Sequence, residues 1–488
     1  MYRIIVLAIY VIVILFIGYK SMKRTKTFGD FFLANRTVGP WLTAFTYGTA
    51  YFSAVLIIGF AGKIGWGFGM ASLWVALGNT IVGTFLVWKL LGGRIMRATQ
   101  QMGVHTMPEY LEARYQSRFL KAYSAICIFV FLIPYSASVY MGLSYLFEIN
   151  FNVSYSYILF AMAILTAIYL IMGGYKAITV VDIFQGMIMI AGILIMIGMF
   201  TAKAGGVSNI LERLNSINPE LTSIWGPAGW RPIMALVFLT SVAPFAMPQL
   251  VQKFYGIKDE KSVKIGTIVA TLFALIITFG AYYSGALTRV FISAESHPTL
   301  FKGGKAAVDK LMPVMIKQFV PEVLGVIILL LVFAASMSTL AALVLVSSSS
   351  IVKDLYQGFF GKGDHEKKLV LPMRAICLVV IFLSVIIALK KPAIIVTMLS
   401  ISWGAVAAVF LAPFVYGLLW KKATKLSAIV SSFVGLGTTL IWYALTDSAA
   451  MVPQIASAGM IISMIVLPIV VWVESLFRPK DTKNGYAI

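Results

Sequence analysis

The stretch AASMSTLAALVLVSSSSIVKDLY, Ala334–Tyr356, places hydroxyls at Ser336, Ser338, Thr339 and 347–350 in a run otherwise fit for a lipid-buried helix. A hydroxyl in hydrocarbon costs free energy unless something binds it. On a helix, Ala335, Ser338 and Thr339 stand at i, i+3 and i+4 and share one face. Two side-chain oxygens converge there, and the Ala335 carbonyl joins them if its own helical bond is weakened. Such a set of neutral oxygens suits a small hard cation that sheds its water. No carboxylate is expected nearby, so binding is expected to be weak and reversible, as a coupling ion requires. A lone Ser more commonly bonds back one turn and bends its helix; the cluster favours the ion. The serines at 347–350 precede Lys353, where solvated hydroxyls at a helix end are the simpler account.

The elements that must position this cluster are membrane helices. Of 488 residues, 60% are hydrophobic and 12% charged, with a mean hydropathy of +0.92. That composition belongs to an all-α polytopic membrane protein. About thirteen apolar spans are legible, near 2–21, 41–61, 67–92, 122–147, 155–173, 179–202, 232–251, 265–289, 319–346, 372–389, 393–419, 427–446 and 454–475. The N-terminus outside and the C-terminus inside put most of the 39 Lys and Arg, Lys253–Lys264 among them, on the inner side. That is the orientation the positive-inside rule selects. The net charge of +21 is therefore read as topology with a contribution from anionic lipid, not as nucleic-acid binding. Cys127 and Cys377 lie in spans without a CxxC partner, and His105, His297 and His365 fall in loops, so neither a disulfide framework nor a metal site of those types follows. Short segments at Ile210–Leu214 and Ala306–Gln318 read as structural caps on the outer loops.

Two spans are interrupted. FTYGTAYFSAVLIIGFAG carries Thr46, Gly48, Thr49 and Ser53 through its middle, and LTSVAPFAMPQL places Pro244 and Pro248 at mid-membrane. Proline inside a helix removes a donor and frees carbonyls one turn earlier. Freed backbone at membrane depth is tolerated where it is buried in protein or lines a cavity. The two interruptions lie five spans apart, which is the pattern of transporters with inverted repeats and a binding site between broken helices.

The segments AASMSTL, SSSSIVKDLY, FTYGTAYFSA, IMGGYKAITVVDIFQG and APFAMPQLVQKFYG, in that company, resemble the sodium:solute symporter family from about Lys20 to about Lys425. The wording is nearest to its proline and pantothenate branch. The resemblance implies a LeuT-type fold with two inverted five-helix repeats and Na⁺-driven alternating access. On that basis residues 1–40 form an extra N-terminal helix and basic inner loop, and 41–202 and 232–420 are the repeats. The segment 203–231 is an outer loop, and 421–488 hold two further helices and a cytoplasmic tail. The implied Na⁺ site comprises the carbonyls of Thr49, Phe52 and Ala335 with the hydroxyls of Ser338 and Thr339, which coincides with the cluster derived from spacing. Some family members bind a second Na⁺ through further serines; Ala341 and Ala342 stand here, so one Na⁺ per cycle is expected.

The resemblance places the solute among Tyr51, Ser53, Tyr135, Thr240, Pro244 and Pro248. Proline carriers have Trp and Tyr where Thr240 and Pro244 stand and an Asp at Tyr51, and sialic acid carriers have an Arg at Tyr135. The pocket thus lacks fixed charge, and a small monocarboxylate or amino-acid-like solute is expected. Asp182 resembles a family aspartate implicated in transport, but Thr179-x-x-Asp182 also reads as a capping box near the inner surface. In either role, Asp182→Asn is expected to slow transport more than it weakens Na⁺ binding. Arg36 resembles a basic residue near the inner gate, and equally an ordinary positive-inside arginine. The whole is expected to act in the cell membrane as a symporter of Na⁺ and a small solute, possible as a monomer. A proton-coupled carrier with Asp182 as relay is the alternative. A passive channel lacks filter-like loops, and an enzyme lacks a paired nucleophile and base.

Overall fold

The computed structural model describes residues 2–22, 32–33, 36–360, 369–446 and 448–477; His365 lies outside them. The architecture is helical apart from one antiparallel pair of two-residue strands, Phe301–Lys302 and Lys305–Ala306. Ten helices among the described residues are long and apolar enough to cross a membrane. Of the thirteen expected spans, the first is the helix Tyr2–Met22, the fifth opens a longer helix at Tyr155, and the second is cut in two.

That second span begins as α1, Pro40–Tyr51, whose proline sits in the first turn, where its missing N–H costs nothing. The helix stops at Phe52, which is extended at φ −108° and ψ 108°. The Ser53 side chain then accepts from the Val55 N–H (3.2 Å), and the chain resumes as a π-helical turn, Val55–Phe60, followed by α2, Ala61–Phe68. No proline makes this break; small and hydroxyl side chains offer the backbone alternative partners there. The seventh span breaks by a different route. Helix α3, Trp230–Val242, gives way to a 3₁₀ turn, Ala243–Phe245, and α4, Pro248–Tyr255, starts afresh at its proline. Met247 before that proline is extended, as sterics require.

Around the two broken spans stand α5 (Arg118–Phe151), α6 (Tyr155–Lys203), α7 (Glu260–Ala286), α8 (Glu322–Ser349) and α9 (Ile395–Leu419). Helix α6 is helical without interruption for 49 residues, so the expected spans 155–173 and 179–202 are joined with no loop between them. Its length of about 74 Å is more than twice the hydrocarbon thickness of a bilayer. Helix α8 packs against both α5 and α6 and is buried at nearly every position from Gly325 on. Helix α9 is also buried along nearly its whole length. Close approach is built with glycine: a Cβ on Gly65 would lie 2.0 Å from the Gly285 carbonyl carbon, so α2 and α7 meet backbone to backbone. The expected capping segments form helices Val207–Ile217 and Val308–Phe319. In the second, Asp309 accepts from the Ile395 N–H at the start of α9 (3.2 Å), with Lys63 of α2 nearby in charge.

Candidate sodium and solute site

The hydroxyl helix meets the first break directly. Thr339 Oγ1 donates to the Thr49 carbonyl (3.1 Å) and lies 3.3 Å from the Ala50 carbonyl, while Ser338 Oγ donates to Thr49 Oγ1 (2.9 Å). Thr49 Oγ1 in turn donates back to the Phe45 carbonyl (2.8 Å). Residues some 290 apart in sequence thus meet through two oxygen–oxygen contacts, Ser338 Oγ to Thr49 Oγ1 and Thr339 Oγ1 to the Thr49 carbonyl, all on fully buried residues. Phe52 lies at the break itself, and Ala335 is buried on α8, which runs through it without a break. Ala341 and Ala342 are buried and offer no side-chain oxygen.

One expectation is overturned here. A carboxylate does sit beside the cluster: Asp182 of α6 is 0% exposed, and its charge is felt by the hydroxyls of Ser338, Thr46 and Thr49. It lies in the interior of α6, so the capping-box reading of Thr179 and Asp182 fails. Neither Asp182 oxygen meets a donor in hydrogen-bonding geometry among the described residues. Its cationic neighbour is Lys253 of α4, also fully buried. Lys253 is therefore not a loop charge of the positive-inside kind. The sequence signal was available: Lys253 follows Pro248 by five residues on the same short helix and so continues the broken span into the protein. The donor set fits a small cation, because neutral oxygens converge around a buried carboxylate whose lone pairs are unspent.

The solute-side residues also gather, though their hydroxyls are differently engaged than their types suggest. Tyr51 Oη donates to the Thr240 carbonyl (2.5 Å), joining the first break to the second. Gly83 makes room for it, since a Cβ there would lie 2.4 Å from that hydroxyl. Thr240 Oγ1 donates to the Leu236 carbonyl (2.9 Å), which spends its proton and leaves it an acceptor, while Ser53 Oγ accepts from the Val55 amide and keeps its own O–H to donate. Tyr135 of α5 lies beside Ser53 and beside Trp403 of α9. Pro244 and Pro248 shape the second break. Phe52 stacks on Tyr51 with ring centroids 4.3 Å apart. Trp403 escaped the sequence reading; its one signal is a lone large aromatic inside the small-residue run SWGAVAA.

Arg36 joins neither group. Its Nη2 donates to the Val104 carbonyl (2.6 Å), in the charge field of Tyr255 and Glu109. Nearby, Thr106 donates to a buried Asp354 (2.5 Å), Lys353 lies 3.9 Å from Glu109, and a small cleft with room for about one water lies between Thr106, Tyr255, Gln252, Asp354 and Pro248. Val38 also pairs with Gly256 and Lys258 through backbone bonds, tying the start of the first broken span to the end of the second.

Comparison with known proteins agrees with this architecture. The chain is 29% identical over 493 residues to an osmoregulated proline transporter of Bacillus subtilis, covering 99% of this chain and 96% of that one. It is 28% identical over 435 residues to a sodium/pantothenate symporter of Haemophilus influenzae, covering 87% and 86%. The solved structure of a Na⁺-coupled sialic acid symporter in a substrate-bound outward-open state matches with a TM-score of 0.78 at 20% identity, over 96% of this chain and 98% of that one. The fold is accordingly of the LeuT type. The model of the Sodium:solute symporter family matches residues 31–435, and this multi-pass membrane protein belongs to that family.

Proposed function

We propose that the protein imports a small monocarboxylate or amino-acid-like solute, with proline and pantothenate the first candidates, together with one Na⁺ per cycle. Na⁺-coupled solute symport is the activity of its family, whose members are transporters rather than enzymes. The observation that carries the proposal is the bridging at Thr49 and Tyr51. Two adjoining turns of one broken helix are held to the hydroxyl helix at one point and to the second broken helix at the other. Na⁺ would be held by the carbonyls of Thr49, Phe52 and Ala335 and the hydroxyls of Ser338 and Thr339, with Asp182 supplying charge from behind. Asp182 and Lys253 neutralise each other in part, which keeps the site from becoming a sink and leaves release possible. An ion shared by α1 and α8 favours whichever state holds those helices together, and it drives transport only through that difference in affinity. One ion is proposed because Ala341 and Ala342 cannot contribute to a second.

The proposed frame retains two inverted five-helix repeats (41–202 and 232–420), the N-terminus outside and the C-terminus inside; thirteen crossings require the chain to turn between 155–173 and 179–202, where α6 runs on as one helix. It acts as a monomer in contact with anionic lipid and without nucleic acid. Arg36, with Glu109 and Tyr255, would serve the inner gate. A second reading has one specific support: the buried Asp182–Lys253 pair could carry a proton in place of the ion's charge. Both are tested in proteoliposomes given an inward Na⁺ gradient with a K⁺ control, using labelled proline, pantothenate, short carboxylic acids and sugars. Accumulation that follows Na⁺ supports the symporter, and accumulation that follows a pH gradient without Na⁺ selects the proton reading. Reversal potentials giving two Na⁺ per solute would overturn the stoichiometry.

A further inference from the structure

Beside the bridge between the two breaks stands one polar group that nothing described above uses. Trp403 is 2% exposed. Its ring stacks on Tyr51, with centroids 5.9 Å apart and planes at 24°, and meets Tyr135 edge-on at 5.9 Å and 83°. An indole Nε1 can only donate. Here it meets no acceptor in hydrogen-bonding geometry among the described residues, although the Tyr135 hydroxyl is close by. A buried donor without an acceptor destabilises the fold, and a phenylalanine would fill much the same space without that cost. The neighbouring hydroxyls of Tyr51, Thr240 and Ser53 are all engaged by backbone. Tyr51 and Thr240 donate to backbone carbonyls and Ser53 accepts from a backbone amide beside the Tyr135 hydroxyl, so the indole N–H is a buried donor that no backbone acceptor meets where the two broken helices join.

The class of acceptor follows from the surroundings. Tyr51, Ser53, Tyr135, Thr240 and Trp403 carry no formal charge. In a site walled by aromatic rings, an N–H gains most from an ionised oxygen, because the low dielectric strengthens a charge-assisted bond. The faces of Tyr51 and Trp403 meanwhile suit an apolar ring or a compact cationic nitrogen. We propose that Trp403 is a specificity-determining residue that donates its indole N–H to a carboxylate oxygen of the solute, while the Tyr51 ring flanks the solute's body. The inference rests on the symport reading above and deepens it.

The test uses the full-length protein in proteoliposomes with an inward Na⁺ gradient. Labelled L-proline and pantothenate are the probes, with L-prolinamide and pantothenol as competitors that lack the carboxylate. Trp403→Phe keeps a ring and removes the N–H. Its KM for the acid probes rises about tenfold to a hundredfold, and the preference for acid over amide or alcohol collapses toward unity. The Na⁺ concentration for half-maximal uptake stays within about twofold, since the sodium oxygens are not touched. Trp403→His, which restores a ring N–H, recovers part of the preference. A loss caused only by packing would not be recovered by that smaller ring, so absence of recovery counts against the proposal. Wild-type KM and wild-type acid preference in Trp403→Phe overturn it. So does Na⁺-driven uptake by the natural protein of sugars alone, which leaves symport standing. If no solute in the panel moves with Na⁺, the symport reading itself falls.

Discussion

At the proposed sodium cluster α1 meets α8 through hydroxyl and carbonyl oxygens; two residues further along, the same chain meets α3 and α9 through a phenol and stacked rings. The first region is dense with acceptors held by short hydroxyl bridges and backed by a buried carboxylate, Asp182, in the field of the buried Lys253. The second leaves the Trp403 indole N–H without an acceptor in hydrogen-bonding geometry among the described residues, and its walls are rings. A dehydrated cation needs several oxygens at fixed distances, so its site is assembled from backbone and short side chains. An organic solute is selected by area and by a few directed bonds, so its site is lined with large side chains. Tyr51 and Thr49 are two residues apart, which makes this one short segment answerable to both ligands at once.

The harshest way to separate the regions is to delete the oxygens. Ser338→Ala with Thr339→Ala is expected to lower Na⁺-driven accumulation by more than about a hundredfold, because two of five proposed ligands go and the link between α1 and α8 goes with them. Uptake in proteoliposomes reads this, and unaltered Na⁺-stimulated accumulation in the double variant would remove the basis of coupling. Next comes the charge behind the oxygens. With Asp182 against the cluster, Asp182→Asn is now expected to weaken Na⁺ binding itself, by about tenfold in half-saturation, through the lost Coulomb attraction. Isothermal titration with Na⁺ would show it, and an unchanged affinity with slower transport would return Asp182 to a purely conformational role.

A milder cut falls on the bridge between the regions. Tyr51→Phe leaves the Thr240 carbonyl without its buried donor, at a cost of ~1–3 kcal/mol, and is expected to lower thermal stability and raise solute KM together. A shift in KM with no loss of stability would mean that the phenol faces the solute and not the backbone. The smallest effect is expected far from both, at Asp309. Burial pushes its carboxyl from 3.8 up to about 6, with the Ile395 amide and Lys63 pulling back. A carboxyl raised in the folded state binds its proton more tightly there than when unfolded. The fold therefore gains stability as pH falls from about 6 toward 4 and loses that gain as pH rises through about 6. Asp309→Asn should flatten the melting temperature across that window, and an unchanged slope would show that Asp309 does not set it.

Much of the proposed sodium site was legible in the sequence because its parts are local patterns. Ser338 and Thr339 share a helical face by spacing, and FTYGTAYFSA announces a weak helix by its small and hydroxyl residues. Pro244 and Pro248 mark the second break without any knowledge of the fold. Asp182 stood out as a candidate for transport, with a helix cap as the other reading, but its place beside the cluster was not legible, and Lys253 and Trp403 were misjudged or missed because each looks ordinary along the chain: an inner-loop cation and a core aromatic.

What the sequence determined by itself was the membrane class, the two interruptions and the pairing of Ser338 with Thr339, all consequences of periodicity and backbone sterics within a few turns. What only the tertiary structure decided was which charges and rings stand opposite those features. Packing α6 and α4 against the cluster put a carboxylate and an ammonium beside neutral oxygens, and packing α9 against the breaks brought an indole to the solute side. Those partners lie tens to hundreds of residues away in sequence, and their proximity is set by how buried helices fit together, which no local pattern encodes.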